Sequence, residues 1–105
     1  TKVELNVFDI LFIKALGDYI IIQTSLKKII VLSTMTEIMN RLPSDIFVRS
    51  HKSYIINIQR IKKIEATKLV MNEMANNHTI PVGRSHKKEV KLKFRQHFQT
   101  LKNFC

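Results

Sequence analysis

The sequence contains a single cysteine, Cys105, which is also the last residue of the chain. One cysteine cannot form an internal disulfide, a paired-thiol redox motif or a cysteine-rich zinc site. Glycine and proline are scarce too, with two of each among 105 residues, whereas 45% of the residues are hydrophobic. This composition is typical of one folded domain with a buried core, and it excludes a disulfide scaffold and a disordered tail.

Long hydrophobic runs are also missing. The longest, such as residues 19–22, have four residues, far fewer than the roughly 20 that cross a bilayer. The N-terminus does not resemble a signal peptide. Because the chain begins with Thr1 instead of methionine, we expect it to be a part excised from a longer protein. The sequence predicts a cytoplasmic domain with no segment that spans a membrane.

Patterns that would support catalysis or metal binding are absent. Asp9, Asp18 and Asp45 lie far apart in the sequence, without the spacing of a carboxylate pair that shares one pocket. The four histidines include no closely spaced pair, and two glycines cannot build a phosphate-binding loop. We therefore expect a protein that is not an enzyme and that uses no metal and no cofactor.

Acidic residues are few, and their distribution is uneven. The chain has eight Asp and Glu against 18 Lys and Arg, a net charge of +10. Residues 1–48 hold five bases and five acids, whereas residues 49–105 hold thirteen bases and three acids. A generic solubilising surface would spread both signs along the chain. The asymmetry indicates a polyanionic partner, either nucleic acid or an anionic membrane surface.

The hydrophobic pattern predicts a mostly β protein. Short runs rich in β-branched residues, several alternating with polar ones, are typical of strands, and Pro81 indicates an edge strand. A turn is predicted at residues 75–77. The predicted strands are residues 3–7, 10–15, 19–24, 29–32, 46–48, 54–58, 61–65, 68–72 and 79–82.

Two segments have helical periodicity instead. In residues 34–42 the apolar side chains recur at i, i+3, i+4 and i+7, which predicts a helix with one buried face. Thr34 and Glu37 fit a capping box at its start, and Pro43 ends it. A second helix is predicted near the C-terminus. Its apolar positions are Val90, Phe94, Phe98 and Leu101, with basic residues between them.

Two short basic segments are candidate binding sites. In residues 47–57 an apolar strand passes into five polar residues, 49–53, before the next strand begins. Cationic donors and serine hydroxyls suit phosphate oxygens and the edges of bases. A solvated connecting loop is the alternative explanation for this segment.

The second basic segment, residues 82–88, joins a strand to the last helix. Ser85 is the predicted N-cap, which places His86, Lys87 and Lys88 in the first helical turn. Cations are unfavourable at a helix N-terminus, yet unpaired N–H groups with cations nearby form an anion site. We therefore predict phosphate binding here.

Three stretches resemble the signature sequences of the LytTR DNA-binding domain. They are ILFIKALGDYI at residues 10–20, FVRSHKSYIIN at residues 47–57 and IPVGRS at residues 80–85. They occur in the family's order, from about Phe8 to the start of the last helix, and the middle stretch is the most specific of the three.

The resemblance implies a fold and a function. The expected fold is one domain, residues 1–105, of short antiparallel sheets with one inserted helix and a C-terminal helix. Loops of such domains enter successive major grooves of DNA. Members are usually the output domains of bacterial two-component response regulators, joined to an N-terminal receiver that is absent from this chain. They bind paired repeats as dimers, regulate transcription, and depend on a sensor kinase that acts through the receiver.

The resemblance also implies roles for individual residues. Lys52 and Arg84 match positions that reach base edges, and the loop at residues 14–19 supplies a third contact region. The predicted base contacts are Lys52, Arg84, Lys14, Asp18 and Tyr19. The predicted contacts with the DNA backbone are Arg49, Ser50, His51, Ser53, Asn57, Ser85, His86, Lys87 and Lys88.

The chain departs from the usual family pattern at three positions. Lys14 stands where an acid is common, Lys52 where arginine is frequent, and Gly83 where serine is usual. Because lysine cannot bind guanine through two parallel hydrogen bonds as arginine can, base preference cannot be copied from relatives. Two further functions stay open at this point: an RNA or single-strand binding module, and a basic module that docks on membranes or proteins.

Overall fold

The structure, a computed structural model, describes residues 4–71 and 79–102. These residues form two antiparallel sheets and two helices, which confirms the predicted mostly β fold. The strands are β1 (Ile10–Leu16), β2 (Tyr19–Thr24), β3 (Lys28–Leu32), β4 (Phe47–His51), β5 (Tyr54–Asn57), β6 (Ile61–Ile64), β7 (Lys68–Met71) and β8 (Thr79–Pro81). The helices are α1 (Met35–Arg41) and α2 (Lys87–Lys102).

The larger sheet has five strands in the order β3-β2-β1-β5-β4, and the smaller has the order β6-β7-β8. A two-residue turn, Gly17-Asp18, joins β1 to β2. Gly17 has a φ of 58°, a conformation that costs glycine little because it has no Cβ. β8 lies at an edge of its sheet, which confirms the edge position that Pro81 predicts.

The larger sheet is buried on both faces at its centre. Adjacent residues of a strand point to opposite faces, so Ile13 and Ile55 pack in one hydrophobic cluster and Phe12 and Ile56 in another. The first cluster lies under α1 and includes Met35. The second joins the larger sheet to the smaller one and to α2, and includes Leu69, Met71, Ile80 and Val90. The two clusters fix β1 and β5 firmly in the interior.

The inserted helix α1 confirms its sequence prediction in detail. The Thr34 hydroxyl accepts a hydrogen bond from the Glu37 backbone N–H at 3.0 Å, and the Glu37 carboxylate accepts one from the Thr34 N–H at 3.2 Å. This reciprocal pair is the capping box. The helix ends at Leu42, directly before Pro43, where the backbone becomes extended. The apolar face of the helix packs on the core beneath it.

The strand predicted at residues 3–7 is wrong for the part that the structure describes. Residues 4–6 are irregular, and a 3₁₀ turn occupies Val7–Asp9. The Asn6 side chain accepts a hydrogen bond from the Phe8 N–H at 2.9 Å, which favours the turn over an extended strand. The Arg60 guanidinium then donates to the Phe8 carbonyl at 2.8 Å and fixes the segment. The turn predicted at residues 75–77 lies outside the described residues.

Candidate nucleic-acid interface

The first basic segment is a β-hairpin, and most of it is strand. β4 continues through Arg49 and Ser50 to His51, and β5 begins at Tyr54, so the turn holds only residues 52 and 53. The strand predicted at residues 46–48 therefore continues three residues further than predicted, and the alternative of a solvated loop over residues 49–53 is wrong. Two-residue connections hold antiparallel strands tightly. The hairpin presents the exposed Lys52 side chain at its tip.

A bulge in β4 explains how polar residues continue the strand. Arg49 pairs with Ile55 and His51 pairs with Tyr54, so Ser50 is the extra residue between them. A bulge changes the direction of the chain locally and frees the extra residue from the ladder. Here the Ser50 carbonyl accepts a hydrogen bond from the Gly83 N–H at 2.7 Å. The bulge thereby attaches the second basic segment to the hairpin.

Two side chains of the hairpin brace its own tip. The Arg49 guanidinium donates to the Lys52 carbonyl at 2.5 Å. The His51 Nδ1 accepts a hydrogen bond from the Ser53 N–H at 3.1 Å. Both bonds order the turn that carries Lys52, and Arg49, His51 and Ser53 are all partly exposed. Contacts of these three residues with a DNA backbone stay a prediction.

The third candidate region, at the β1–β2 turn, is tied to the same hairpin. The Ala15 N–H donates to the Ser53 carbonyl at 2.9 Å. Lys14 is exposed, and its ammonium lies 5.9 Å from the centroid of the Tyr54 ring. Asp18 and Tyr19 are exposed at the turn itself. The structure therefore brings all three predicted contact regions together around the tip of the β4–β5 hairpin.

The second basic segment forms a turn before α2. The His86 N–H donates to the Gly83 carbonyl, and the His86 carbonyl accepts from the Val90 N–H at 3.1 Å, the first bond of the helix. The helix begins at Lys87, so the position before it belongs to His86, and the prediction of Ser85 as N-cap is wrong by one residue. The tight turn from Gly83 explains the shift.

Exposure differs among the residues of this second segment. Arg84 and Ser85 are exposed on the turn, and Lys88 is exposed in the first turn of α2, whereas His86 and Lys87 are partly buried. Three of the predicted contact residues in this segment are therefore exposed to solvent, and two of these, Arg84 and Lys88, are cationic. Partial positive charge on the first N–H groups of a 16-residue helix adds to the attraction for anions.

The glycine in this segment permits a close approach. A Cβ on Gly83 would lie 3.3 Å from His86 Cδ2 and 3.6 Å from His51 Cδ2, and the first of these distances is tighter than an ordinary contact. The imidazoles of His51, from the first basic segment, and of His86, from the second, therefore both lie close to Gly83. A Cβ at this position would require the His86 ring to move by a few tenths of an ångström.

Two predicted DNA contacts are buried and do not reach the surface. Ser50 and Asn57 are both 0% exposed. The Ser50 Oγ has no hydrogen-bond partner among the described residues. The Asn57 amide donates to the Ile10 carbonyl at 2.8 Å and accepts from the Gln59 N–H at 2.9 Å. The prediction that these side chains contact the DNA backbone is therefore wrong for this conformation, because both face the interior.

The main-chain bonds between the segments are the part of the site that the sequence did not reveal. The bonds Ala15–Ser53 and Ser50–Gly83 involve backbone atoms, which every residue type carries.

Within residues 4–71 and 79–102, no cluster of His, Cys, Asp and Glu could hold a metal ion. The same residues include no helix long and apolar enough to cross a membrane.

Known proteins share parts of this sequence and this fold. The family model described as the LytTr DNA-binding domain matches residues 2–95. The chain is 32% identical over 62 residues to the sensory transduction protein LytT of Enterococcus faecalis (strain ATCC 700802 / V583), an alignment that covers 57% of this chain and 26% of that protein. The chain thus spans about a quarter of the length of this curated relative.

A solved structure has the same fold. It is the LytTr DNA-binding domain of a Bacillus cereus protein described as a methyl-accepting/DNA response regulator. The two structures superpose with a TM-score of 0.70 at 21% sequence identity, over 82% of this chain and 81% of the other. The likeness concerns the arrangement of the two sheets and the helices.

Proposed function

Because this chain belongs to the LytTr DNA-binding domain family, we propose that it binds double-stranded DNA in a sequence-specific manner and thereby regulates transcription. One observation carries the proposal. Three exposed cations, Lys14, Lys52 and Arg84, lie on three separate segments that backbone hydrogen bonds join around one hairpin tip. Such a set of short, rigidly joined projections suits base edges in adjacent parts of a major groove.

The roles of the cations follow from their chemistry. Arg84 can donate two parallel hydrogen bonds to guanine O6 and N7. The Lys52 ammonium is a compact charged donor that lacks the forked geometry of arginine. Asp18 can accept from the amino group of cytosine, and the Tyr19 ring can contact a thymine methyl group. Lys88 at the start of α2 suits a phosphate, with Lys87 and Ser85 beside it. Base edges then give the specificity and phosphates give most of the affinity.

The wider context of the protein is also a proposal. The domain acts as the output part of a two-component response regulator in the cytoplasm and binds paired repeats as a dimer. A sensor kinase controls it through a receiver domain. The sensory transduction protein LytT, which is about four times as long as the aligned segment, supports a role in signal transduction by its name.

The experiment that tests the proposal begins with selection of bound duplexes from a random pool. Fluorescence anisotropy then compares the selected duplex, a scrambled duplex and a single strand at several salt concentrations. We expect tighter binding to the selected duplex than to the other two. Equal binding to both duplexes would contradict sequence specificity. Preference for the single strand would instead support an RNA or single-strand module, and binding confined to anionic vesicles would support a membrane-docking module.

Lys88→Ala should weaken binding to the selected and the scrambled duplex by the same factor. A phosphate contact carries no sequence information, and its loss should reduce the salt slope of log K by about 1. Anisotropy titrations across a salt series measure both quantities. Lys62→Ala is the matched control, because Lys62 is also an exposed lysine and lies on β6, at the edge of the smaller sheet opposite β8. A change in the ratio of the two affinities, or an equal effect of Lys62→Ala, would contradict the assignment.

A further inference from the structure

Tyr54 occupies a central position among the candidate contact segments. It is the first residue of β5, directly after the hairpin tip, and it pairs with His51 on one side and Lys14 on the other. Its ring is partly buried. One residue therefore borders both the tip that carries Lys52 and the strand that leads to the β1–β2 turn.

Three side chains contact the Tyr54 ring. The Phe12 ring, which belongs to the core, lies 6.3 Å away between centroids at an angle of 46°. The His51 ring lies 5.9 Å away at 72°, an edge-to-face arrangement. The Lys14 ammonium lies 5.9 Å from the ring centroid, within the range of a cation–π contact. The tyrosine thus links the core to a side chain of each of two contact segments.

The contact with His51 has a direct consequence for the hairpin tip. The His51 Nδ1 accepts the Ser53 N–H, so the orientation of the imidazole sets the geometry of the two-residue turn. The Tyr54 ring holds that imidazole edge-on from one side. A change in the ring would therefore be transmitted through His51 and Ser53 to the position of Lys52.

We propose that Tyr54 is a positioning residue for DNA recognition, which sets the geometry of Lys52 and Lys14 without contacting DNA itself. This inference rests on the proposed function. The aromatic ring carries the role, because all three contacts are made by the ring. The hydroxyl is not needed for it.

The test compares Tyr54→Phe, which keeps the ring, with Tyr54→Ile, which keeps a side chain suited to a strand but removes the ring. The measured quantity is the ratio of affinities for the selected and the scrambled duplex. Partial unfolding lowers both apparent affinities by the same factor, so the ratio reports geometry and not stability. We expect Tyr54→Phe to keep the wild-type ratio and Tyr54→Ile to lower it about tenfold, the scale of one base contact.

A second measurement follows the tip directly, without DNA. Amide hydrogen exchange at Ser53 should speed up in Tyr54→Ile and stay unchanged in Tyr54→Phe, because the ring packs against His51, whose Nδ1 accepts the Ser53 N–H. Tyr54→Met replaces the isoleucine variant if that variant does not fold.

The outcomes separate this inference from the proposed function. If the wild-type protein binds the selected and the scrambled duplex with equal affinity, the proposed function is wrong. If it does show a preference, an unchanged ratio in the aliphatic variant overturns the positioning role. A loss of the ratio in Tyr54→Phe also overturns it, since the hydroxyl would then contact DNA directly.

Discussion

Asn57→Ala should lower the free energy of unfolding by about 2–4 kcal/mol, because it leaves the Ile10 carbonyl without a partner in the interior and removes the partly buried cap of the Gln59 N–H. The Asn57 amide bridges the Ile10 carbonyl at the start of β1 and the Gln59 N–H after β5. The residue is 0% exposed and its bond with the Ile10 carbonyl is buried, so water cannot easily replace that bond. Chemical denaturation followed by circular dichroism measures the change.

Asn6→Ala provides a matched control for this prediction. The Asn6 side chain also begins a 3₁₀ turn and accepts the N–H two residues on, as Asn57 does, but Asn6 is exposed. Loss of an exposed cap costs about 1 kcal/mol. Equal costs at the two asparagines would contradict the role assigned to burial. A stable Asn57→Ala protein with weakened DNA binding would restore Asn57 as a DNA contact.

Much of the fold could be predicted from the sequence, because local patterns dictated it. The strands at Tyr19–Thr24 and Ile10–Leu16 carry β-branched runs bounded by a glycine turn, and α1 carries both a helical period and a capping box. The strand prediction is wrong at residues 4–7 because the local pattern there is not enough to form a strand. An alternating pattern predicts a strand only where a neighbouring strand pairs with it, and the asparagine there favours a turn.

The candidate site was predicted in part, since side-chain type alone does not reveal burial. Lys52 and Arg84 are exposed where the sequence motifs predict them. Ser50 and Asn57 are polar residues of the middle motif, which predicts DNA contacts for them, yet a bulge and a buried hydrogen bond place their side chains inside. A bulge depends on the pairing of two strands, and no single stretch of sequence shows it.

The uneven charge of the chain has a more specific meaning in the folded protein. The neutral first half supplies β1, β2, β3 and α1, and therefore most of the larger sheet. The basic second half supplies the hairpin tip, the turn after β8 and the helix α2. The hydrogen bond from the Ala15 N–H to the Ser53 carbonyl connects these halves. Most of the larger sheet and two of the three exposed cations, Lys52 and Arg84, thus come from different parts of the sequence and meet at one hairpin.

Arg84→Ala should produce the largest change in DNA specificity of any single substitution in this domain. Arg84 is exposed on the turn that Gly83 attaches to the hairpin through the Ser50 carbonyl. Loss of a bidentate contact with guanine costs about 1–3 kcal/mol. The affinity for the selected duplex should therefore fall roughly 5- to 150-fold relative to the scrambled duplex. Anisotropy titrations with both duplexes at one salt concentration give this ratio.

Arg84→Lys distinguishes base recognition from simple charge. Lysine keeps the positive charge but cannot form two parallel hydrogen bonds in one plane. The lysine variant should therefore bind the scrambled duplex as the wild-type protein does, while its ratio of selected to scrambled affinity falls toward that of Arg84→Ala. Selection from a random pool with the lysine variant should return relaxed preference at one base pair. If lysine restores the full ratio, or if alanine leaves it unchanged, Arg84 attracts DNA only through its charge, and base recognition lies with other residues on the three joined segments.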